Sequence, residues 1–252
     1  TLNYNMRNQF TDVTRLARGL VFNSYNSLQY GAPELQNALS HNLSLLYSSF
    51  NLFNYTNVFA RAAYTKNSDQ IRSFTDFESV VRTSTYFNSS FADENFSVFG
   101  RIQRTFGKVR TSFNSSFNYS KINQFIQQIQ SVNEGFTQTY TPSIRTNFLV
   151  APNFNLSYRY TITNNLQGER QTKFVTRAPS VSFDAYIVEK FTLRSNYSYN
   201  VQEQVGANSQ SFQIWNASLS YRKDKDSKWE YEAKATNLLN ISSQVRNSAN
   251  TI

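Results

Sequence analysis

The chain has no cysteine in 252 residues, which excludes disulfide scaffolds and thiolate metal sites. It has one histidine, His41, and the neighbouring Ser40 and Ser44 have no acid placed beside them for a Ser-His-Asp arrangement. Glycine (7) and proline (4) are sparse, and no glycine-rich phosphate loop or metal-ligand spacing occurs. No run of about 18 apolar residues exists, which excludes a transmembrane helix. It does not exclude a membrane β-barrel, whose strands need an apolar residue only at alternate positions. No signal peptide opens the chain, which fits a processed N-terminus or one that is not the natural start. Catalysis therefore has little footing, no cofactor is expected, and the chain is read as a non-enzyme.

What is abundant is an unusual pairing. Aromatic residues make up 16% of the chain, with 16 Tyr and 22 Phe, while 30 Asn and 32 Ser supply about a quarter of it. Mean hydropathy is −0.54 and the formal net charge is +9. Disordered chains are poor in aromatics, so the composition argues for folded structure. A charge of +9 invites a nucleic-acid reading, but the 25 basic residues are scattered. The densest basic run, from Arg222 to Lys228, is interrupted by Asp224 and Asp226. No basic stripe or nucleic-acid motif is present, so nucleic acid is not expected as a partner.

One signal repeats along the chain. From Val109 to Lys121 the odd positions carry Val109, Thr111, Phe113, Ser115, Phe117 and Tyr119, and the even positions carry Arg110, Ser112, Asn114, Ser116, Asn118 and Ser120. Alternation with period 2 is a strand with one apolar and one polar face. The same pattern covers Phe136 to Phe148, Phe154 to Thr163 and Phe191 to Val201. Further strands are expected at Asn42–Phe50, Thr56–Thr65, Asn95–Phe106, Lys173–Tyr186, Gln213–Tyr221 and Trp229–Thr236, with a short opening strand at Leu2–Asn8. That makes about eleven strands and an all-β, antiparallel fold. The best helical window, Gln124 to Ile129, is short.

The connections alternate. Short turns fall at Asn51–Tyr55, Gly107-Lys108, Val150–Asn153, Val188–Lys190 and Lys223–Lys228. Longer polar segments fall at Phe10–His41, around Glu78–Asn88, and at Gln124–Gly135, Asn164–Thr172, Gln202–Gln210 and beyond Asn237. Short turns on one rim and long loops on the other characterise outer-membrane barrels. A soluble β-sandwich, such as an adhesin, would bury the apolar face against a second sheet and needs no such asymmetry. The expected strands are about 9 to 13 residues long, against the 5 or 6 usual in soluble sheets. Aromatics fall near expected strand ends (Tyr64, Phe106, Tyr119, Phe148, Phe154, Tyr199, Tyr221 and Trp229), where interfacial girdles belong. The polar faces carry Asn, Ser and Thr rather than Lys and Glu. The membrane reading is preferred.

Two segments carry a resemblance. The stretch Tyr30-Gly31-Ala32-Pro33-Glu34-Leu35-Gln36-Asn37-Ala38-Leu39, following Thr14 to Ser27, resembles the Gly-Asn-Pro-x-Leu stretch of TonB-dependent receptor barrels, with Ala32 where Asn is usual. The segment Trp229 to Asn240, ending Asn237-Leu238-Leu239-Asn240, resembles their penultimate strand. The likeness is nearest to the Bacteroidetes outer-membrane branch. It implies the outer membrane of a Gram-negative bacterium, contact with outer-membrane lipid and lipopolysaccharide, and energised uptake of a nutrient such as a glycan or siderophore. Such barrels have about 22 strands, so residues 1–252 are expected to be one barrel segment, the C-terminal half without its final strand. A plug domain and the TonB contact are then expected in a missing N-terminal part, with a lid lipoprotein over the loops. The alternative is a structural or scaffold subunit of a larger outer-membrane complex, without transport.

Within that reading, Arg61, Arg101, Arg110, Arg145, Arg159 and Arg194 share the polar faces and form a lumenal basic belt. Counted from the short turns, the belt stands roughly 10 to 15 Å above one rim. It can contact plug carboxylates or guide an anionic solute, or it can be an internal ladder paired with the lumenal acids Asp184, Glu230 and Glu232. The ladder is the simpler expectation, because charges taken out of water are usually paired. The carboxylate pairs Asp93/Glu94 and Glu230/Glu232 are read as structural partners rather than as an acid and base. Apolar residues in the long loops, namely Leu20, Val21, Phe22, Tyr25, Leu28 and Tyr30 with Phe125, Ile126 and Ile129, are candidate extracellular contacts, chiefly Phe22, Tyr25, Tyr30 and Phe125. The Asn-x-Ser/Thr triplets at Asn42, Asn54, Asn95, Asn114, Asn118, Asn155, Asn196 and Asn216 follow from the period-2 polar face and are not read as glycosylation sites.

Overall fold

A computed structural model describes residues 1–78, 81–126, 129–149, 152–187, 190–206, 208–224 and 227–241. In chain order the elements are β1 (Leu2–Gln9), α1 (Val13–Leu16), β2 (Leu20–Ser24), β3 (Ser27–Tyr30), β4 (Ala38–Asn51), β5 (Thr56–Ser68), β6 (Ile71–Glu78) and β7 (Val81–Asn88). They continue as β8 (Asp93–Phe106), β9 (Val109–Ile126), β10 (Ile129–Thr146), β11 (Asn153–Gln167), β12 (Arg170–Ile187), β13 (Phe191–Gln204), β14 (Gln210–Arg222) and β15 (Glu230–Ala235). Among the described residues the fold is all-β apart from the single turn of α1.

Eleven strands form one antiparallel sheet in the order β1-β4-β5-β8-β9-β10-β11-β12-β13-β14-β15. These are the eleven that the alternation predicts. The sheet is open, with β1 and β15 as its two edges, and it does not close into a barrel. The rungs are staggered. One rung runs Thr105, Arg110, Arg145, Asn155, Ser182, Asn196, Asn216 across β8 to β14. It begins one residue from the end of β8 and finishes inside β14, so the strands slide steadily past one another.

The remaining strands form a second sheet, in the order β2-β3-β7-β6, with β3 and β7 parallel. It is built from the segments between β1 and β4 and between β5 and β8, both at the end opposite the short turns. The sequence places loops there, at Phe10–His41 and around Glu78–Asn88. These strands are four to eight residues long, and runs such as Leu20-Val21-Phe22 do not alternate, so period 2 gives no signal. Asp12 caps α1 by accepting from the Thr14 amide at 3.0 Å, and that bond with the Thr14 hydroxyl holds its carboxyl below the usual carboxylate range. A lowered folded pKa means that this cap contributes fully above the ordinary carboxylate range and is lost as the pH falls through the lowered value.

The expected loop asymmetry is corrected in part. Strands β9 and β10 run on to Ile126 and Ile129, leaving only residues 127 and 128 between them, and β11 and β12 turn at Gly168-Glu169. Residues Gln124 to Gly135 and Asn164 to Thr172 are therefore chiefly strand, and Phe125 and Ile126 lie in β9 rather than in a helical window. The cause is chemical. Beyond Tyr119 and Phe136 the face that is apolar lower down turns polar, while Ile122 stands on the other face: Lys121 lies 3.6 Å from Glu134, and Gln130 Nε2 donates to Asn123 Oδ1 at 3.0 Å. The hydrogen-bond ladder continues after the hydropathy alternation has stopped.

Candidate functional site

Register sorts the side chains of the large sheet onto two faces. One carries Leu43 and Leu45, Val98 and Ile102, Phe113 and Phe117, Pro142 and Ile144, Leu156 and Tyr158, Val181 and Phe183, and Leu193 and Tyr197. Among the described residues, only Ala38 is a buried hydrophobic. Leu156 is 51% exposed, and among the described residues no second sheet packs on this face. The two-sheet sandwich considered for a soluble adhesin is not formed.

The apolar face has ordered limits. Tyr64, Phe96, Tyr119 and Phe136 form one rung of aromatics across β5, β8, β9 and β10. The next rung on the same face is Lys66, Glu94, Lys121, Glu134, four charges of alternating sign. Towards the short turns, Phe154 packs on Phe183 with centroids 5.1 Å apart, and Phe191 on Tyr221 at 4.9 Å. Tyr64 and Tyr119, predicted near strand ends, lie inside longer strands, but they still mark where the apolar face gives way to charge.

The opposite face is polar and made of small groups. A rung of serines, Ser112, Ser143, Ser157, Ser180 and Ser198, crosses β9 to β13. Two of its neighbours are bonded hydroxyl to hydroxyl, Ser112–Ser143 at 2.6 Å and Ser157–Ser180 at 2.7 Å. Higher on the same face, Thr139 and Thr161 are 3.2 Å apart.

All six arginines of the predicted belt lie on this face. Arg110 is directly opposite Arg145, Arg101 donates from Nε to Asn114 Oδ1 at 2.6 Å, and Arg61 faces Phe99. Arg159 faces Ala178, and Arg194 stands opposite Asp184. The expected ladder of ion pairs is not formed: among the described residues, no carboxylate is within 4.0 Å of any of the six guanidiniums. The acids lie on β12 and β15, so only Arg159 and Arg194 are on strands beside one: Arg159 pairs six residues along β12 from Asp184, and Arg194, opposite Asp184, makes no ion pair with it. Glu230 pairs instead with Arg222 at 3.6 Å, and Glu232 faces Ser220. His41 lies in β4 on the apolar face, where Tyr4 Oη is 2.8 Å from its Nδ1. Among the described residues no acid completes a triad.

The loop candidates separate. Phe22 lies in β2, Tyr25 in the β2–β3 turn and Tyr30 at the end of β3, at 68%, 84% and 49% exposure. Phe22 and Tyr30 share one face of the small sheet with Leu20 and Leu28. Phe125 is a strand residue opposite Gln130 and does not join them, and its side chain lies outside the described residues. The candidate surfaces are therefore the polar face with its arginines and the aromatic face of the small sheet.

Spacing does not reveal the junction between the two sheets. Arg72 of β6 pairs with Asp93 Oδ2 at the start of β8. Asp93 Oδ1 also accepts the Asn123 backbone amide at 2.9 Å, and Asn123 Nδ2 reaches the Ala92 carbonyl at 2.8 Å. Asn88 is bonded to Gln36 in both directions, donating to its carbonyl at 2.9 Å and accepting its amide at 2.7 Å. Comparison with protein families, with curated proteins and with solved structures found no match to this chain.

Proposed function

We propose that the large sheet is part of the wall of an outer-membrane β-barrel, with its apolar face on lipid and its polar face towards the lumen. The observation that carries this reading is the apolar face of a single-layered sheet, half-buried to exposed along its length and bounded by aromatics and then by charges. Phe96 and Phe106 bracket that face on β8, ten residues apart. At about 3.3 Å per residue and a tilt near 40°, they span roughly 25 Å, the height of the apolar band of such barrels. Staggered rungs are what a tilted barrel wall requires. In lipid the free edges of β1 and β15 must be paired, so the reading calls for further strands beyond both.

Within that wall the polar face and its arginines line the lumen, and the small sheet stands at the extracellular end. There Phe22, Tyr25 and Tyr30 offer aromatic surface to a nutrient, in the manner of the energised receptors whose motifs the chain resembles. Fractionation tests the placement: the protein should sediment with outer membranes, resist alkaline carbonate and require detergent for release. Recovery in buffer without detergent would refute the membrane reading. Uptake is tested separately, by deleting the gene and measuring growth on candidate glycans and siderophores with and without an energised inner membrane. Loss of energy-dependent growth supports the receptor reading, and unchanged growth by a protein that still resides in the membrane favours the scaffold subunit.

A further inference from the structure

We infer that Arg110 and Arg145 form an oxyanion site on the polar face of the large sheet. The two lie directly opposite each other on β9 and β10. Opposed residues in an antiparallel pair have Cβ atoms about 4.5 to 5.5 Å apart, and like charges there repel. Each guanidinium brings hydrogen-bond donors and no acceptor, so neither neutralises the other. Among the described residues neither guanidinium has an ion-pair or side-chain acceptor, and both residues are exposed. Arg101 is turned onto Asn114 and Arg194 has Asp184 across from it, while Arg61 and Arg159 face Phe99 and Ala178 and have no second arginine opposite.

The surroundings are donors too. Asn155 stands opposite Arg145 on β11, and the Ser112–Ser143 hydroxyl pair occupies the next rung of the same face. One of those two hydroxyl protons bridges the pair, and the other is available. Two guanidiniums, an amide and a hydroxyl thus occupy adjacent positions in two neighbouring rungs that hold no carboxylate among the described residues. A carboxylate or phosphate group is the complement: its oxygens accept from both forks and remove the repulsion. A carboxylate would come from an acidic segment of a protein partner, and a phosphate from a small anionic solute. The site stands on the β9–β10 register, so it survives if the lipid placement or the uptake reading fails.

The test is calorimetric titration of the whole detergent-extracted protein, at constant ionic strength set with chloride. The probes are inorganic phosphate and, separately, hexaglutamate. Saturable binding of either supports the site; stronger binding of hexaglutamate assigns it to a protein carboxylate, and binding of phosphate alone to a small anion. Arg110→Gln and Arg145→Gln should each weaken binding about tenfold, the effect of losing one charge-assisted contact, while Arg194→Gln leaves it unchanged. Without the probes, Arg145→Gln should melt no lower than wild type, because the repulsion is gone. Arg145→Lys keeps the charge and loses the fork, and should bind more weakly than wild type. No saturable binding to the wild-type protein, or equal affinity across Arg110→Gln, Arg145→Gln and Arg194→Gln, overturns the inference.

Discussion

Leu156→Arg is expected to destabilise the membrane-inserted protein by about 2 to 4 kcal/mol, the cost of a cation at mid-depth on the lipid face of a barrel. Ser157→Arg, one residue along the same strand, is expected to cost little, because its side chain joins a polar face that already holds Arg159 two residues away. The contrast depends on environment alone. Both positions are in β11, and both keep their backbone hydrogen bonds. If the apolar face met water, Leu156→Arg would fall within about 0.5 kcal/mol of wild type, as surface changes usually do. Folding titrations into phospholipid vesicles of the two variants and wild type read the difference. Equal stabilities would place both faces in the same medium.

Asp93→Ala is expected to release the small sheet from the large one. Its carboxylate is the ion-pair partner of Arg72, whose Nε is buried and makes no hydrogen bond within the described structure. The two side chains are 20% and 13% exposed, so removal of the acid leaves a largely desolvated cation. The Asn123 amide loses its acceptor at the same time. Breaking such a pair costs about 3 kcal/mol, which should speed hydrogen exchange in β6 and β7 about a hundredfold. Amides in the middle of β9 to β12, held by ladders on both sides, should exchange as in wild type. Uniform acceleration across both sheets would show that the contact supports the whole protein rather than the junction. For a receptor this junction has functional weight, since it sets where Phe22, Tyr25 and Tyr30 stand above the wall.

The parts of this architecture that are legible in the sequence are those where side-chain chemistry alternates. Val109 to Lys121 announces both β9 and its two faces, and the six arginines can be assigned to the polar face by counting alone. The upper third of the β9–β10 hairpin is hidden, because the apolar face turns polar there at Lys121, Asn123, Gln130 and Glu134 while the backbone ladder continues unchanged. The small sheet is hidden for another reason. It joins two segments far apart in sequence through the parallel β3–β7 pairing, and no local pattern encodes that contact. Partners on the belt were legible least of all. Whether Arg145 meets an acid depends on stagger, which places Arg110 and Asn155 beside it and keeps Asp184 opposite Arg194.

The absence of cysteine makes the central claim directly measurable, because a single introduced thiol has no competitor. One cysteine at each position from Phe154 to Tyr160, labelled with an environment-sensitive fluorophore in the whole protein reconstituted into vesicles, reports which medium each side chain meets. Labels at positions 154, 156, 158 and 160 should be quenched by a lipid-borne quencher, and those at 155, 157 and 159 by a water-soluble one. The same quencher reaching all seven positions, or the alternation running in the opposite phase, would contradict a lipid-facing apolar surface.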